Sequence, residues 1–293
     1  MRDLYGALEG GGSKFLCALG TGPDDVRDTL RIETTDPDST LARIVAYFAP
    51  HRTRLRALGV SCFGPLELDP RRGEQLGSFL RTPKPGWSGF PLRARLAAEL
   101  GLPVAIDTDV NGAALAEQRW GALRAADPAV YITVGTGVGV GVVIGGQPLH
   151  GLMHPELGHL RVAGAQHAGS CSFHGACVEG LASAPAIRAR TGSAPDQLAD
   201  DHAVWAEVAN ALGQLLCAIV LAYSPERIVL AGGVLERPGL RAAASAALVA
   251  QLGGYVPRRQ LEPAHIAQYV VGPALGARSG LLGGLWLALN AGA

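Results

Sequence analysis

The chain is 293 residues long, with 48% hydrophobic and 17% charged residues, and its 25 Lys+Arg balance 25 Asp+Glu to zero formal net charge. That composition excludes intrinsic disorder and supplies core material for two lobes. A neutral chain also lacks the charge excess that draws a protein to nucleic acid or to an anionic membrane, so neither is an expected partner.

Met1-Arg2-Asp3 leads into a strand-like run with no signal-peptide pattern. No apolar run approaches the ~18 residues that span a bilayer, the nearest being Val138–Ile144. Five cysteines, an odd number, fit a reducing compartment better than a disulfide scaffold, so the expected location is cytoplasmic.

Residues 4–20 read as strand, glycine turn, strand, with the turn at Glu9-Gly10-Gly11-Gly12-Ser13-Lys14. Three glycines let backbone N–H groups approach an anion, and they equally suit a plain hairpin turn. The P-loop pattern is absent. An amphipathic helix is predicted over 39–57, capped by Ser39 with Leu41, Ile44, Val45 and Phe48 on its apolar face. A strand over 58–62, a turn at Phe63-Gly64-Pro65 and a proline-stiffened loop Thr82-Pro83-Lys84-Pro85-Gly86-Trp87 come next.

A helix over 91–100 and a strand over 103–106 lead into Asp107-Thr108-Asp109-Val110-Asn111-Gly112, then a helix to about Trp120. Carboxylates at the C-terminal end of a strand, just before a helix, sit where α/β folds place chemistry. On position alone Asp109 serves equally as a helix cap or as a reacting group. Strands over 130–134 and 138–144 flank Gly135-Thr136-Gly137, a second anion-cradling turn; no helix follows, which argues against a dinucleotide fingerprint.

The segment His154–Cys177 holds the densest chemistry. Cys171, His174 and Cys177 form C-x2-H-x2-C, and His159 lies upstream. Two thiolates and two imidazoles are the ligand set of a tetrahedral structural Zn2+, so these four residues are the expected metal ligands. Helices over 179–189 and 201–223, a strand over 228–231 ending in Gly232-Gly233, a helix over 239–251, a strand near 269–271 and a helix over 279–289 complete the chain. The two halves resemble each other coarsely, each beginning with strands around a glycine turn.

Together these motifs resemble the ROK family of sugar kinases. EGGGSK is similar to its first phosphate loop, GTGVGVG to its second, DVNGAALAE to its D-x-N-x-A motif, HPELGH to its E-x-G-H motif and LAGGV to its adenosine-side turn. TPKPGW and CSFHGACVEGLAS are similar to the fructokinase branch. The resemblance implies an α/β, actin-like ATPase (ribonuclease H-like) fold with two lobes around a nucleotide and sugar cleft. The N-terminal lobe would span 1–117, rejoined by the last helix at 276–293, and the C-terminal lobe 118–275, with the zinc segment at 154–180.

It also implies ATP, Mg2+, a homodimer, and transfer of the γ-phosphate of ATP to a hexose hydroxyl, fructose to fructose 6-phosphate, beside the Zn2+ expected from the ligand set. By the same resemblance Asp109 matches the general base, Asn111, Glu156 and His159 the sugar contacts, and His159 a zinc ligand as well. Gly11, Gly12, Ser13, Lys14, Gly135, Thr136, Gly137, Gly232 and Gly233 match nucleotide contacts. Glucose or N-acylated hexosamine kinases of the same fold, or a non-catalytic sugar-sensing regulator, are the alternatives. Three departures stand out: Ala231 where a third glycine is usual, Ala184 for the glycine of the EGLASGPA-like run, and Ala277-Arg278-Ser279 for a D-N-A-like segment.

Overall fold

The computed structural model describes residues 3–291 and divides into two compact units, Met1–Gly121 with Gly146–Pro155 and Leu275–Ala293, and Ala122–Gly145 with Glu156–Ala274. In the first unit, β1 (Leu4–Gly10), β2 (Lys14–Gly22), β3 (Asp25–Glu33), β4 (Leu55–Cys62) and β5 (Val104–Thr108) form one sheet in the order β3-β2-β1-β4-β5. The pairs β1/β2 and β2/β3 are antiparallel, and β1/β4 and β4/β5 parallel. The central strands are apolar and buried, as strands covered on both faces must be. Strand β3 had no counterpart in the sequence pattern: within Asp25–Glu33 only Ile32 is buried, and an edge strand carrying charged residues shows no period-2 signal.

Helix α1 (Pro37–Phe48) begins two residues before the predicted Ser39 cap. Asp36 caps it, its Oδ1 accepting from Ser39 N at 2.9 Å, and Pro37 supplies the preset φ of a first turn. The proline at 50 stops the α-helix well short of 57, leaving a single tight turn over Ala49–His51. Leu41, Ile44 and Phe48 of α1 join Leu8, Phe15, Leu58 and Trp87 in one core. Trp87, in the proline-rich loop, is fully buried and stacks on Phe15 with ring centroids 5.6 Å apart. That loop is therefore a core plug as well as a connector.

Helices α2 (Leu92–Leu100) and α3 (Asp109–Trp120) follow, and the last helix, α9 (Ser279–Leu289), packs on β1, β4 and α3. The approach is backbone to backbone: a Cβ on Gly59 would lie 1.9 Å from Gly284 O, and one on Gly283 2.3 Å from Gly112 C. Burying Leu281, Leu282 and Leu285 there stabilises α9 by roughly 1.5–3 kcal/mol per side chain, as an upper bound. Glu117, fully buried in α3, accepts at Oε1 from Ser279 Oγ (2.7 Å) and Leu275 N (3.0 Å). Ser279, part of the departure at 277–279, is thus a hydrogen-bond donor to α3.

In the second unit, β6 (Ala129–Val134), β7 (Val138–Ile144), β9 (Arg227–Ala231) and β10 (Val270–Val271) run in the order β10-β9-β6-β7. Pairs β10/β9 and β9/β6 are parallel and β6/β7 antiparallel. The order β7-β6-β9-β10 repeats β2-β1-β4-β5, so each unit holds an antiparallel pair joined by a glycine turn beside two parallel strands. Strand β8 (Gln147–Pro148) lies in the 146–155 segment.

The predicted helix over 179–189 is two helices, α4 (Val178–Ala182) and α5 (Ala184–Thr191), because Ser183 leaves the helical region and caps α5 through Ala186 N. Helix α6 (Val204–Tyr223) corrects the reading that no run approaches membrane-spanning length: it is 20 residues long with mean hydropathy 1.7 in its most apolar window. Of that window 61% is buried, packed against α7 (Leu240–Leu252) and α4, so its apolarity is that of a core helix. A short helix, α8 (Ile266–Tyr269), precedes β10.

Candidate active site and metal centre

At the end of β5 the chain turns into α3, and Thr108 takes the N-cap, its Oγ1 accepting from Asn111 N at 3.2 Å. The alternative role for Asp109 is thereby filled by its neighbour. The Asp109 carboxylate accepts from Val110 N, at 2.9 Å, and from its own backbone N–H, and Ser61 Oγ donates to Asp109 O at 3.3 Å. Burial pushes the Asp109 carboxyl up to about 6, because the charged form loses its water. At neutral pH such a group is mostly ionised and a stronger proton acceptor than an ordinary aspartate.

Glu9, the penultimate residue of β1, opens the EGGGSK run but was not among the expected site residues. Its carboxyl is pushed up to about 7, first by burial and then by the nearby Asp109 charge, while Lys14 pulls the other way. Leu281 N donates to the carboxyl, yet Oε2 is buried without a partner. The available signal was an acidic residue at the end of an otherwise apolar strand.

Asp107, 3% exposed, is the hub of a second cluster that the sequence did not reveal. Its Oδ1 accepts from Thr108 N and from Asn111 Nδ2, each at 2.7 Å, and His150 Nε2 lies 3.1 Å from Oδ2. The hydrogen bond to Asp107 raises the pKa of His150, burial opposing it. His154 Nε2 accepts from Leu66 N at 3.1 Å, and burial lowers its pKa. Two histidines thus pin the 146–155 segment to the first unit.

The first glycine turn is closed by Gly11 N donating to Lys14 O at 2.7 Å, with Gly12 and Ser13 exposed. Thr34 Oγ1 donates to Gly11 O, and Lys84 Nζ donates to Gly12 O. In the second unit Gly135 N donates to Gly137 O at 2.8 Å, and Thr136 is exposed at the tip. Glu179 Oε2 accepts from Val138 N at 3.0 Å, so a buttressing carboxylate lies beneath this turn. Gly232, at φ 99°, abuts the same place: its Cβ would lie 2.4 Å from Val134 O. Gly232 and Gly233 therefore adjoin the second turn. Ala231 is buried at the end of β9, and Ala184 N donates to Gly135 O at 2.8 Å, so both alanines fit.

Also in the second unit, Glu156 is exposed and His159 closes the short turn Leu157–His159. Gly158 is required there, since a Cβ would lie 1.8 Å from Val138 O. The ligand atoms of His159, Cys171, His174 and Cys177 all lie within 4.8 Å of one another. Cys171 Sγ is 3.6 Å from His159 Nδ1 and 3.7 Å from His174 Nδ1, and Cys177 Sγ is 3.7 Å from His159 Nδ1. Bonds of about 2.3 Å to sulfur and 2.0 Å to nitrogen make tetrahedral S–N edges of roughly 3.5 Å, so the set fits Zn2+. His159 turns Nδ1 to the thiols, and among the described residues its Nε2 has no hydrogen-bond partner.

The structure thus brings Asp109, Asn111 and the Gly11–Lys14 turn into one unit. The Gly135–Gly137 and Gly232–Gly233 turns, Glu156 and the four-ligand cluster lie in the other. The ROK family profile matches residues 5–291. A fructokinase of Zymomonas mobilis is 38% identical over 300 residues, covering 99% of this chain and 98% of its own. A putative fructokinase of Bacillus subtilis is 36% identical over 291 residues, covering 98% and 96%. The crystal structure of a ROK hexokinase from Thermus thermophilus superposes with a TM-score of 0.77 at 27% identity, over 98% of both chains. A profile spanning almost the whole chain, full-length relatives and this fold agree: the chain belongs to the ROK family of sugar kinases and has its actin-like ATPase fold.

Proposed function

We propose that the chain is a fructokinase that transfers the γ-phosphoryl group of ATP to a hydroxyl of fructose, giving fructose 6-phosphate and ADP. The observation that carries this reading is Asp109: spared from capping by Thr108, half-buried, and with its carboxyl pushed up to about 6 by loss of water. It accepts the proton of the attacking hydroxyl as that oxygen bonds to the γ-phosphorus and the bond to ADP breaks. Phosphoryl transfer needs positioning and charge stabilisation more than covalent help, which suits glycine turns with open backbone donors.

In this reading Gly11, Gly12, Ser13, Lys14, Gly135, Thr136, Gly137, Gly232 and Gly233 face the nucleotide, and Asn111, Glu156 and His159 the sugar. The orphaned Glu9 Oε2, close to Asp109 in charge, suits Mg2+, whose chemistry is to neutralise phosphate oxygens. Zn2+ on His159, Cys171, His174 and Cys177 orders the loop, and His159 Nε2 remains free for a sugar hydroxyl. A homodimer and a cytoplasmic location belong to the same reading.

A coupled assay of ATP consumption over a panel of hexoses tests it. Fructose should give the highest kcat/KM. An equal or higher value on glucose or an N-acylated hexosamine would replace fructose, and no turnover on any sugar would favour the regulator.

A further inference from the structure

Asn111 is 1% exposed, and its two amide ends meet different fates. Nδ2 donates to Asp107 Oδ1 at 2.7 Å, whereas Oδ1 is buried with no partner. A carboxylate only accepts, so the amide must present its NH2 to Asp107, and its orientation is fixed. His150 holds the other side of the same carboxylate, with Nε2 3.1 Å from Oδ2 and 3.4 Å from Asn111 Nδ2. The proton on Nε2 faces Asp107, and two donors close around one acceptor.

We propose that Asp107 and His150 are positioning residues that lock the Asn111 amide so that only its carbonyl oxygen is offered to the sugar. This rests on the kinase reading above and deepens it, since it states what the substrate must carry. The group opposite Asn111 has to be a hydroxyl donor. A deoxy sugar, or a carbonyl or ether oxygen there, leaves a buried acceptor unmet and should bind about tenfold or more weakly. His150 belongs to the 146–155 segment, which continues directly into Glu156, so the histidine also anchors the chain leading to the expected sugar contacts.

The test compares wild type with His150→Ala, His150→Gln and Asp107→Asn. Sugar KM, ATP KM and kcat are measured, together with fructose binding by calorimetry without ATP. His150→Ala should raise the fructose KM and Kd about tenfold, with the ATP KM within about twofold. His150→Gln, which keeps an N–H donor, should recover most of the loss, and Asp107→Asn should cost at least as much as His150→Ala. Monodeoxy fructoses should show one position whose removal costs wild type about tenfold or more and His150→Ala much less.

A second readout is independent of turnover: the Asn111 side-chain amide protons, followed by NMR, should exchange slowly in wild type and in His150→Gln but fast in His150→Ala. Equal rises in sugar and ATP KM, no gain from glutamine, or unchanged amide exchange would each overturn the proposal. Were wild type inactive on every hexose, the kinase reading would fail, and slow exchange lost only in His150→Ala would still uphold the lock.

Discussion

Thr108 Oγ1 accepts the backbone N–H of Asn111 at 3.2 Å, and this one bond decides what the next residue is free to do. With the cap filled, the Asp109 carboxylate takes local backbone hydrogen bonds from Val110 N and its own N–H and stands available for proton transfer. Asp109→Asn should leave the fold and ATP binding nearly unchanged while lowering kcat by ~10^2-fold or more. Thr108→Ala should instead lower stability by about 0.5–2 kcal/mol and keep most of the turnover. Steady-state kinetics and thermal unfolding on both variants separate the two roles, and full activity in Asp109→Asn would move the base elsewhere.

The pH profile follows from burial. Asp109 must be ionised to accept a proton, so kcat/KM for the sugar should fall as pH drops through about 6. An ordinary aspartate would carry that limb to near ~3.9. A profile flat down to about pH 5 would rule the residue out as the titrating base.

Glu9 gives a stability prediction whose sign is opposite to that of a salt-bridged carboxylate. Its folded pKa, about 7, lies above the ordinary glutamate value of 4.5, so the native state binds more protons between those values. The free protein should therefore lose stability as pH rises from about 4.5 to 7, with the full cost present above that. Glu9→Gln removes the charge and should raise the stability of the free protein at about pH 8 by roughly 1–3 kcal/mol, with little change at about pH 4. It should also lower turnover, because the oxygen suited to Mg2+ is gone. Urea unfolding at the two pH values checks the sign, and a loss at the higher pH would mean that Glu9 is held charged.

His159 Nδ1 faces both cysteine sulfurs while Nε2 has no hydrogen-bond partner among the described residues, so metal and sugar can use one ring from opposite sides. Chelation, or Cys171→Ser with Cys177→Ser, should raise the sugar KM far more than the ATP KM. Equal rises would mean that the metal holds the whole unit together. Metal analysis of the purified protein should find one zinc per chain before chelation.

Much of this protein is written locally. The glycine turns, the strand leading into Asp107-Thr108-Asp109, and the C-x2-H-x2-C spacing were legible because each depends on residues close in sequence, where backbone freedom and ligand type act directly. Helix ends were less so: Pro37 and Asp36 shifted the start of α1, and Ser183 split one predicted helix into two. What tertiary structure alone decided involves partners far apart in the chain. Strand β3 exists because β2 offers it a ladder, not because its own residues alternate. The apolarity of α6 became a core only through α7 and α4. Asp107 gained His150, and Glu9 gained Asp109 and Leu281 as neighbours, only on folding. Burial, which sets both shifted carboxyls, depends on what covers a residue, and that is a property of the packed fold rather than of any short stretch of sequence.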